Sequence, residues 1–210
     1  MAEGSTQQNA LRVVMWQGLW RPGTEWCDLT RVDDGWRLAG TVLLAVDGAP
    51  AEVRYEVTLD GAWATREAKI ESRSGIDGRP RHVHFSADRQ QIWRMQELPV
   101  TDPASTLIEL EGVRGLLDID LGFSPATNTL PIRRLAPAIG ETVEVTAVWL
   151  RYPELTIEPL PQRYTRLDER RYRYESNGGA FVAELEVDDL GLMVTYEGGW
   201  RRIGEAAEGR

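Results

Sequence analysis

The amino-acid sequence predicts a mainly β protein, an antiparallel meander of about a dozen strands curled into a barrel or half-barrel with an internal cavity and little helix. Three observations indicate this fold class. Apolar and polar residues alternate over long segments, short turn-forming sequences separate the segments, and no segment has the spacing of a convincing amphipathic helix. So many strands do not fit one flat sheet, and a barrel of more than about eight strands leaves room for a ligand.

The alternation is clearest in two neighbouring segments, residues 35–46 and 51–60. The apolar residues of one parity in the first segment are Trp36, Leu38, Val42, Leu44 and Val46. Those of the second are Val53, Tyr55, Val57 and Leu59. Because the intervening Asp47-Gly48-Ala49-Pro50 has turn chemistry, the two segments are predicted to form a β-hairpin with one buried face.

Strands are predicted along the rest of the chain by the same signals. Their residues are 11–16, 63–73, 81–87, 90–95, 106–117, 141–151, 155–158, 162–167, 170–176, 181–187 and 192–196. Residues 106–117 are also compatible with a short helix. In residues 63–73 either face could point inward, and one choice places Arg66 on the concave side, where a buried arginine needs a partner or a ligand.

A polar segment at residues 118–134 interrupts the strands. It contains two acids, two arginines, a Thr-Asn pair and two prolines within a loop-like sequence. Prolines remove backbone donors and make the segment poorly suited to a helix or a central strand. We therefore expect a functional loop that the β scaffold holds in place.

The chain has 210 residues, which suits one large β domain. We expect a single domain at 11–203, with disordered ends at 1–10 and 204–210. A faint internal echo relates Arg54-Tyr55-Glu56-Val57, Leu59-Asp60 and Trp63 to Arg173-Tyr174-Glu175-Ser176, Val187-Asp188 and Trp200, although the spacings differ.

The charge balance of 24 basic and 33 acidic residues, a net charge of −9, argues against general binding to nucleic acid or anionic membranes. Cys27 is the only cysteine, so an internal disulfide is impossible. The chain begins without a basic segment followed by an apolar core, and no apolar run approaches the ~20 residues of a membrane helix. A cytoplasmic protein is expected, and its oligomeric state is left open.

No phosphate loop, dinucleotide fingerprint or nucleophile elbow occurs, so neither a cofactor nor a catalytic residue is assigned. His82 and His84 would share one face of a strand and could form half of a metal site. No third ligand follows them nearby in sequence, which favours two polar residues on a solvent or cavity face.

Asp118 and Asp120 would share a strand face, with Cα atoms roughly 6.5 to 7 Å apart. Two carboxylates at that spacing could serve a glycoside hydrolase. Arg133 and Arg134 lie downstream and could instead pair with both acids, which would leave no proton to donate. The sequence favours the ion pairs.

Several segments together resemble the putative glycolipid-binding family of bacterial proteins. They are DGAWATR at 60–66, DIDLGFSPATNTLPIRR at 118–134, residues 147–152, Gln162-Arg163-Tyr164, RYRYES at 171–176 and VDDLGLMVTYEGGW at 187–200. The resemblance implies a curved-sheet cavity similar to that of periplasmic lipoprotein carriers, with an apolar ligand.

The first hypothesis is therefore a binding protein for an amphipathic small molecule such as a glycolipid. Aromatic faces stack on sugar rings, and arginine, amide and hydroxyl groups bind headgroup oxygens. The candidate ligand-binding residues are Trp63, Arg66, Asp118, Asp120, Thr127, Asn128, Arg133, Trp149, Gln162 and Tyr164. Two alternatives stay open, a hydrolase using Asp118 or Asp120 and a protein-interaction module.

Overall fold

The computed structural model describes residues 10–75, 80–98 and 107–207. In these parts of the chain, 15 strands form one sheet. The strands are β1 Ala10–Gly18, β2 Gly23–Val32, β3 Gly35–Val46, β4 Ala49–Asp60, β5 Thr65–Ser74, β6 Pro80–Ala87, β7 Trp93–Leu98, β8 Ile108–Glu109, β9 Ile119–Leu121, β10 Thr142–Leu150, β11 Ile157–Arg166, β12 Arg171–Ser176, β13 Phe181–Val187, β14 Met193–Tyr196 and β15 Trp200–Ala207.

The predicted fold class is confirmed. Strands that follow one another in the chain lie side by side, β1 pairs with β15, and β8 and β9 form the two edges. Every pairing is antiparallel except that of β9 with β10, which is parallel. Near the β9 edge the chain crosses the start of β5, where the Thr65 amide donates to the carbonyl of Leu117 over 2.8 Å. The sheet is thus a curved, open structure whose β9 edge reaches β5.

The inner face follows the predicted alternation in β3 and β4. Leu38, Val42, Val53 and Val57 are all fully buried, and the core continues across the sheet from this hairpin. Gly40 lies opposite Tyr55 in the pairing of β3 with β4. A Cβ atom at Gly40 would lie 2.6 Å from the Tyr55 hydroxyl, so the absence of a side chain makes room for the tyrosine.

The predicted loop at 118–134 contains a helix, which corrects the expectation from its prolines. A short 3₁₀ turn, Ala126–Asn128, leads into α1, Thr129–Leu135. Pro131 is the third helical residue, where its missing N–H has no intrahelical partner to lose. Leu130, Pro131 and Ile132 are buried, so the segment packs into the core instead of lying over it.

Further strands differ from the sequence prediction, and β11 joins the segments 155–158 and 162–167 that the sequence predicts as separate strands. Of residues 106–117, position 106 lies outside the described parts, and the rest contain the short β8 and a 3₁₀ turn, Glu111–Val113. The prediction missed β2, whose inward face carries the acid Glu25 and whose outward face carries the buried Asp28. Residues 204–207, expected in a disordered tail, belong to β15, where Glu205 pairs with Arg12 and Arg202.

Three hairpins share one turn built on an aspartate. The Oδ1 atoms of Asp60, Asp88 and Asp188 each accept two backbone amides, two and four residues further on. The third residue after each aspartate has a positive φ, and these residues are Trp63, Gln91 and Gly191. Each Oδ2 atom binds an arginine. The part of the echo at Leu59-Asp60 and Val187-Asp188 therefore reflects a repeated turn, in which Trp63 corresponds to Gly191 and not to Trp200.

Candidate functional site

A cavity of about 370 Å³ opens at the end of the sheet where two turns meet. The Leu19 amide of the β1–β2 turn donates to the Gly199 carbonyl of the β14–β15 turn over 2.8 Å. The cavity wall is largely aromatic. Its aromatic residues are Trp20, Trp149, Tyr174, Phe181, Tyr196 and Trp200.

The burial of the lining residues rises from the rim to the floor. Trp20 is 63% exposed and Val182 is 43% exposed, so both lie at the mouth. Ser124, Asn128 and Tyr174 are buried and form the floor. The cavity is therefore a cleft with an accessible rim and a polar base.

The carboxylate of Asp120 lies at this base, at the centre of β9. Gln162 donates from Nε2 to Asp120 Oδ2 over 2.5 Å. Behind it, Tyr164 donates its hydroxyl to Gln162 Oε1 over 3.2 Å, and Asn128 Nδ2 donates to that same hydroxyl over 3.0 Å. This chain of hydrogen bonds fixes the carboxylate in one orientation. Among the described residues, Oδ1 has no donor.

The aromatic surroundings of Asp120 make its charge costly. Asp120 as a whole is half-buried, and its carboxylate lies among Tyr164, Tyr174 and Tyr196. Removal of water from the charged form raises the pKa of Asp120 to about 6, and the hydrogen bond from Gln162 opposes that rise. At neutral pH the group is an anion that water stabilises poorly.

Two hydroxyls of the 118–134 segment hold the floor together. Thr127 Oγ1 accepts the backbone amide of Leu121 over 3.1 Å and so ties the 3₁₀ turn to β9. Ser124 Oγ accepts the amide of Ala126 over 3.0 Å and donates to Glu25 Oε1 over 2.7 Å. Thr127 supports the cavity from behind, whereas Ser124 also lines it.

Asp118 does not line the cavity and is held in a buried ion pair. Arg134 Nε and Nη2 donate to its two carboxylate oxygens over 3.0 and 2.6 Å. The Asp118 side chain is 1% exposed, and burial raises its pKa although the arginine opposes the rise. The two candidate acids thus have different surroundings, and only Asp120 lines the cavity.

Trp63, Arg66 and Arg133 lie elsewhere. Arg66 donates to Asp60 Oδ2 over 2.5 Å, which neutralises the acid of its own turn. Arg133 lies over the ring of Trp63 at 5.4 Å, and Trp63 stacks on Trp36 with ring centroids 4.6 Å apart. The structure does not bring the two arginines into the cavity, whose described lining contains no arginine, lysine or histidine.

Of the ten predicted residues, Asp120, Asn128 and Trp149 line the cavity, and Gln162 and Tyr164 support them directly. Sequence reasoning missed the other aromatic walls. Trp20 lies in the β1–β2 turn and is exposed, and a single exposed tryptophan does not by itself predict a site. The remaining walls come from strands β12 to β15, and their convergence depends on pairings that alternation does not reveal.

A second buried carboxylate adjoins the floor. Glu25 is 0% exposed, and Tyr55 donates to its Oε1 over 2.5 Å alongside Ser124. Its Oε2 atom has no partner among the described residues. Burial raises the pKa of Glu25 to about 8, and the two hydroxyl donors oppose the rise.

The predicted histidine pair lies among carboxylates of the neighbouring strand. His84 Nε2 is 2.6 Å from Glu67, and His82 Nδ1 is 3.6 Å from Glu71. Within residues 10–75, 80–98 and 107–207, no three potential metal ligands of the His, Cys, Asp or Glu type cluster together. The described helices also include none long and apolar enough to cross a membrane.

The fold and the cleft define a class: a curved, barrel-like β protein with an aromatic cavity over a single fixed carboxylate. The family model described as putative glycolipid-binding matches residues 13–202. The chain therefore belongs to this family, as its sequence segments predicted.

Two solved structures are similar to this chain. A crystal structure of a DUF1089 family protein from Pseudomonas aeruginosa is 36% identical, with a TM-score of 0.72 over 90% of this chain and 97% of that chain. A β-barrel-like protein of the domain of unknown function DUF1849 from Brucella abortus is 7% identical, with a TM-score of 0.58 over 97% of this chain and 100% of that one. The second likeness shows the fold alone. Among curated proteins, none matches significantly.

Proposed function

We propose that this protein binds an amphipathic small molecule, a glycolipid, and that the aromatic cleft holds the sugar headgroup. The observation that carries the proposal is the pairing of three tryptophans, Trp20, Trp149 and Trp200, with a polar floor at Asp120 and Asn128. Flat aromatic faces pack on the apolar faces of sugar rings, and carboxylate and amide groups accept and donate hydrogen bonds to the hydroxyls.

The size of the cleft favours the headgroup as its occupant. About 370 Å³ is near the lower limit of ordinary ligand cavities, which hold roughly 300 to 1,000 Å³. The core behind the floor is filled by buried side chains that include Leu121, Phe123 and Leu130. A lipid tail would therefore leave through the mouth, where Trp20 and Leu19 are exposed.

The hydrolase alternative loses its two-carboxylate arrangement, because Arg134 holds both oxygens of Asp118 and only Asp120 lines the cleft. The description of the family favours binding over a protein-interaction role. The cytoplasmic location and the absence of nucleic-acid binding stay predictions from the sequence.

Native mass spectrometry of gently purified protein tests the proposal. We expect a bound lipid that Trp149→Ala loses, together with a fall of roughly 10-fold in affinity for an alkyl glycoside, measured by tryptophan fluorescence. Trp26→Ala is the matched control, because Trp26 is 47% exposed and lies outside the cleft. If no lipid is bound to the purified protein and no glycoside binds to it, the proposed function is excluded.

A further inference from the structure

The charges of the cleft are all of one sign. Among its described lining residues only Asp120 and Glu197 are charged, and both are acids. The wall therefore offers an anionic headgroup no cationic partner. It offers a cationic headgroup a fixed carboxylate and several aromatic faces, which is the combination that recognises ammonium groups.

The two acids differ in how strongly they can attract a cationic headgroup. Glu197 lies at the exposed mouth, where water screens its charge, and it accepts the backbone amide of Glu184 over 3.1 Å. Asp120 is held in place by Gln162, and its Oδ1 has no donor among the described residues. A donor from a ligand would complete the hydrogen bonding of a carboxylate that is already oriented.

Two arginines lie close to the cleft and add positive charge beside it. Arg21 and Arg151 are each placed over a tryptophan of the wall, at 5.2 Å from the ring centroids of Trp20 and Trp149. Neither lines the cavity, and Arg151 also binds Glu158 over 3.1 Å. Their position leaves Asp120 as the nearest fixed charge for a group that reaches the floor.

We propose, as a refinement that rests on the proposed function, that the preferred headgroup is an amino sugar whose ammonium group binds Asp120 Oδ1. The aromatic walls bind the sugar ring. Headgroups that carry phosphate or sulfate are excluded, because the floor would place an anion beside a carboxylate.

The test compares the affinities of four octyl glycosides below micelle concentration, measured by isothermal titration calorimetry at pH 7. They carry glucose, 2-amino-glucose, 6-amino-glucose and glucose 6-phosphate. We expect one of the amines to bind roughly 10- to 100-fold more tightly than glucose, because a new charge-assisted hydrogen bond is formed, and the phosphate to bind most weakly.

Variants locate the effect. Asp120→Asn keeps the side-chain shape and should reduce the ratio of amine to glucose affinity to about one, whereas Glu197→Gln, a matched loss of one charge at the mouth, should leave most of the ratio intact. Thermal unfolding of both variants checks that they are folded. An equal effect of both variants would overturn the assignment to Asp120.

The outcomes separate the refinement from the function on which it rests. If glucose binds in the cleft and neither amine binds more tightly, the amino-sugar refinement is wrong and the glycolipid proposal stands. If the phosphate binds best, the charge argument is wrong. If none of the glycosides binds and no lipid co-purifies, the proposed function itself fails.

Discussion

Glu25 should make the stability of this protein fall as the pH rises. Its side chain is fully buried, and Tyr55 and Ser124 are its only hydrogen-bond donors among the described residues. No cation of the described residues lies within ion-pair distance, and Oε2 has no partner. The protonated acid therefore suits this position better than the anion does.

The direction and size of the effect follow from linkage. The pKa of Glu25 rises from the ordinary value of 4.5 to about 8 in the folded protein, so between these pH values the folded chain binds more protons than the unfolded chain. The free energy of unfolding must then decrease with pH across this window. The full interval corresponds to about 5 kcal/mol, a large fraction of the stability of most domains.

Glu25→Gln tests this reasoning, because glutamine resembles the neutral acid. Urea unfolding at pH 5, 7 and 9 should show wild type losing several kcal/mol relative to the variant, with the two nearly equal at pH 5. Comparison of the two chains removes the contribution of Asp120, which titrates lower. Glu186→Gln, an exposed change on β13, is the control and should follow wild type. Parallel curves for wild type and Glu25→Gln would refute the argument.

Three other changes have defined outcomes. Gly40→Ala would place a Cβ atom 2.6 Å from the Tyr55 hydroxyl, and we expect about 1–3 kcal/mol of destabilisation in urea unfolding, whereas an unchanged midpoint would show that the strands yield. Arg134→Met leaves Asp118 buried without its partner and should cost about 3–5 kcal/mol, part of which Asp118→Asn should restore in the double variant. The amine preference of the cleft should be present above pH 6 and be lost below pH 6, as Asp120 becomes protonated. Gln162 and the tyrosines around the Asp120 carboxylate stay neutral over this range. An amine preference that persists at pH 4.5 would contradict the assignment to Asp120.

The strands of the β3–β4 hairpin were predictable because their signal is local. A period of two residues decides which side chains face the core, and Leu38, Val42, Val53 and Val57 follow it without exception. β2 was missed because its inward face carries Glu25, an acid that only the surrounding hydroxyls make acceptable. The residues that make this buried acid acceptable, Tyr55 and Ser124, are far away in the chain.

The helix and the cavity were not predictable for a different reason. A proline in the middle of a polar segment argues against a helix, but Pro131 lies in the first turn of α1, where it costs little. Trp20, Trp149 and Trp200 are separated by long stretches of chain and meet only because β1 pairs with β15 and β9 joins β10. Alternation predicts the face of each strand, not the strand that lies beside it.

The segment at 118–134 has a role that neither its sequence nor its helix reveals alone. Asp120 presents its carboxylate to the cavity, and Ser124 lines the same floor while donating to Glu25 in the core. The ion pair of Asp118 with Arg134 joins the first and last residues of the segment. Because the same short stretch fills the curved sheet and forms the base of the cleft, the packing of the core sets the position of the proposed ligand's partner. Most of the polar residues that first made the segment look like a loop are buried, because they find partners within the segment or in the sheet. Asp118 pairs with Arg134, and Asn128 donates to the hydroxyl of Tyr164, whereas Arg133 stays exposed.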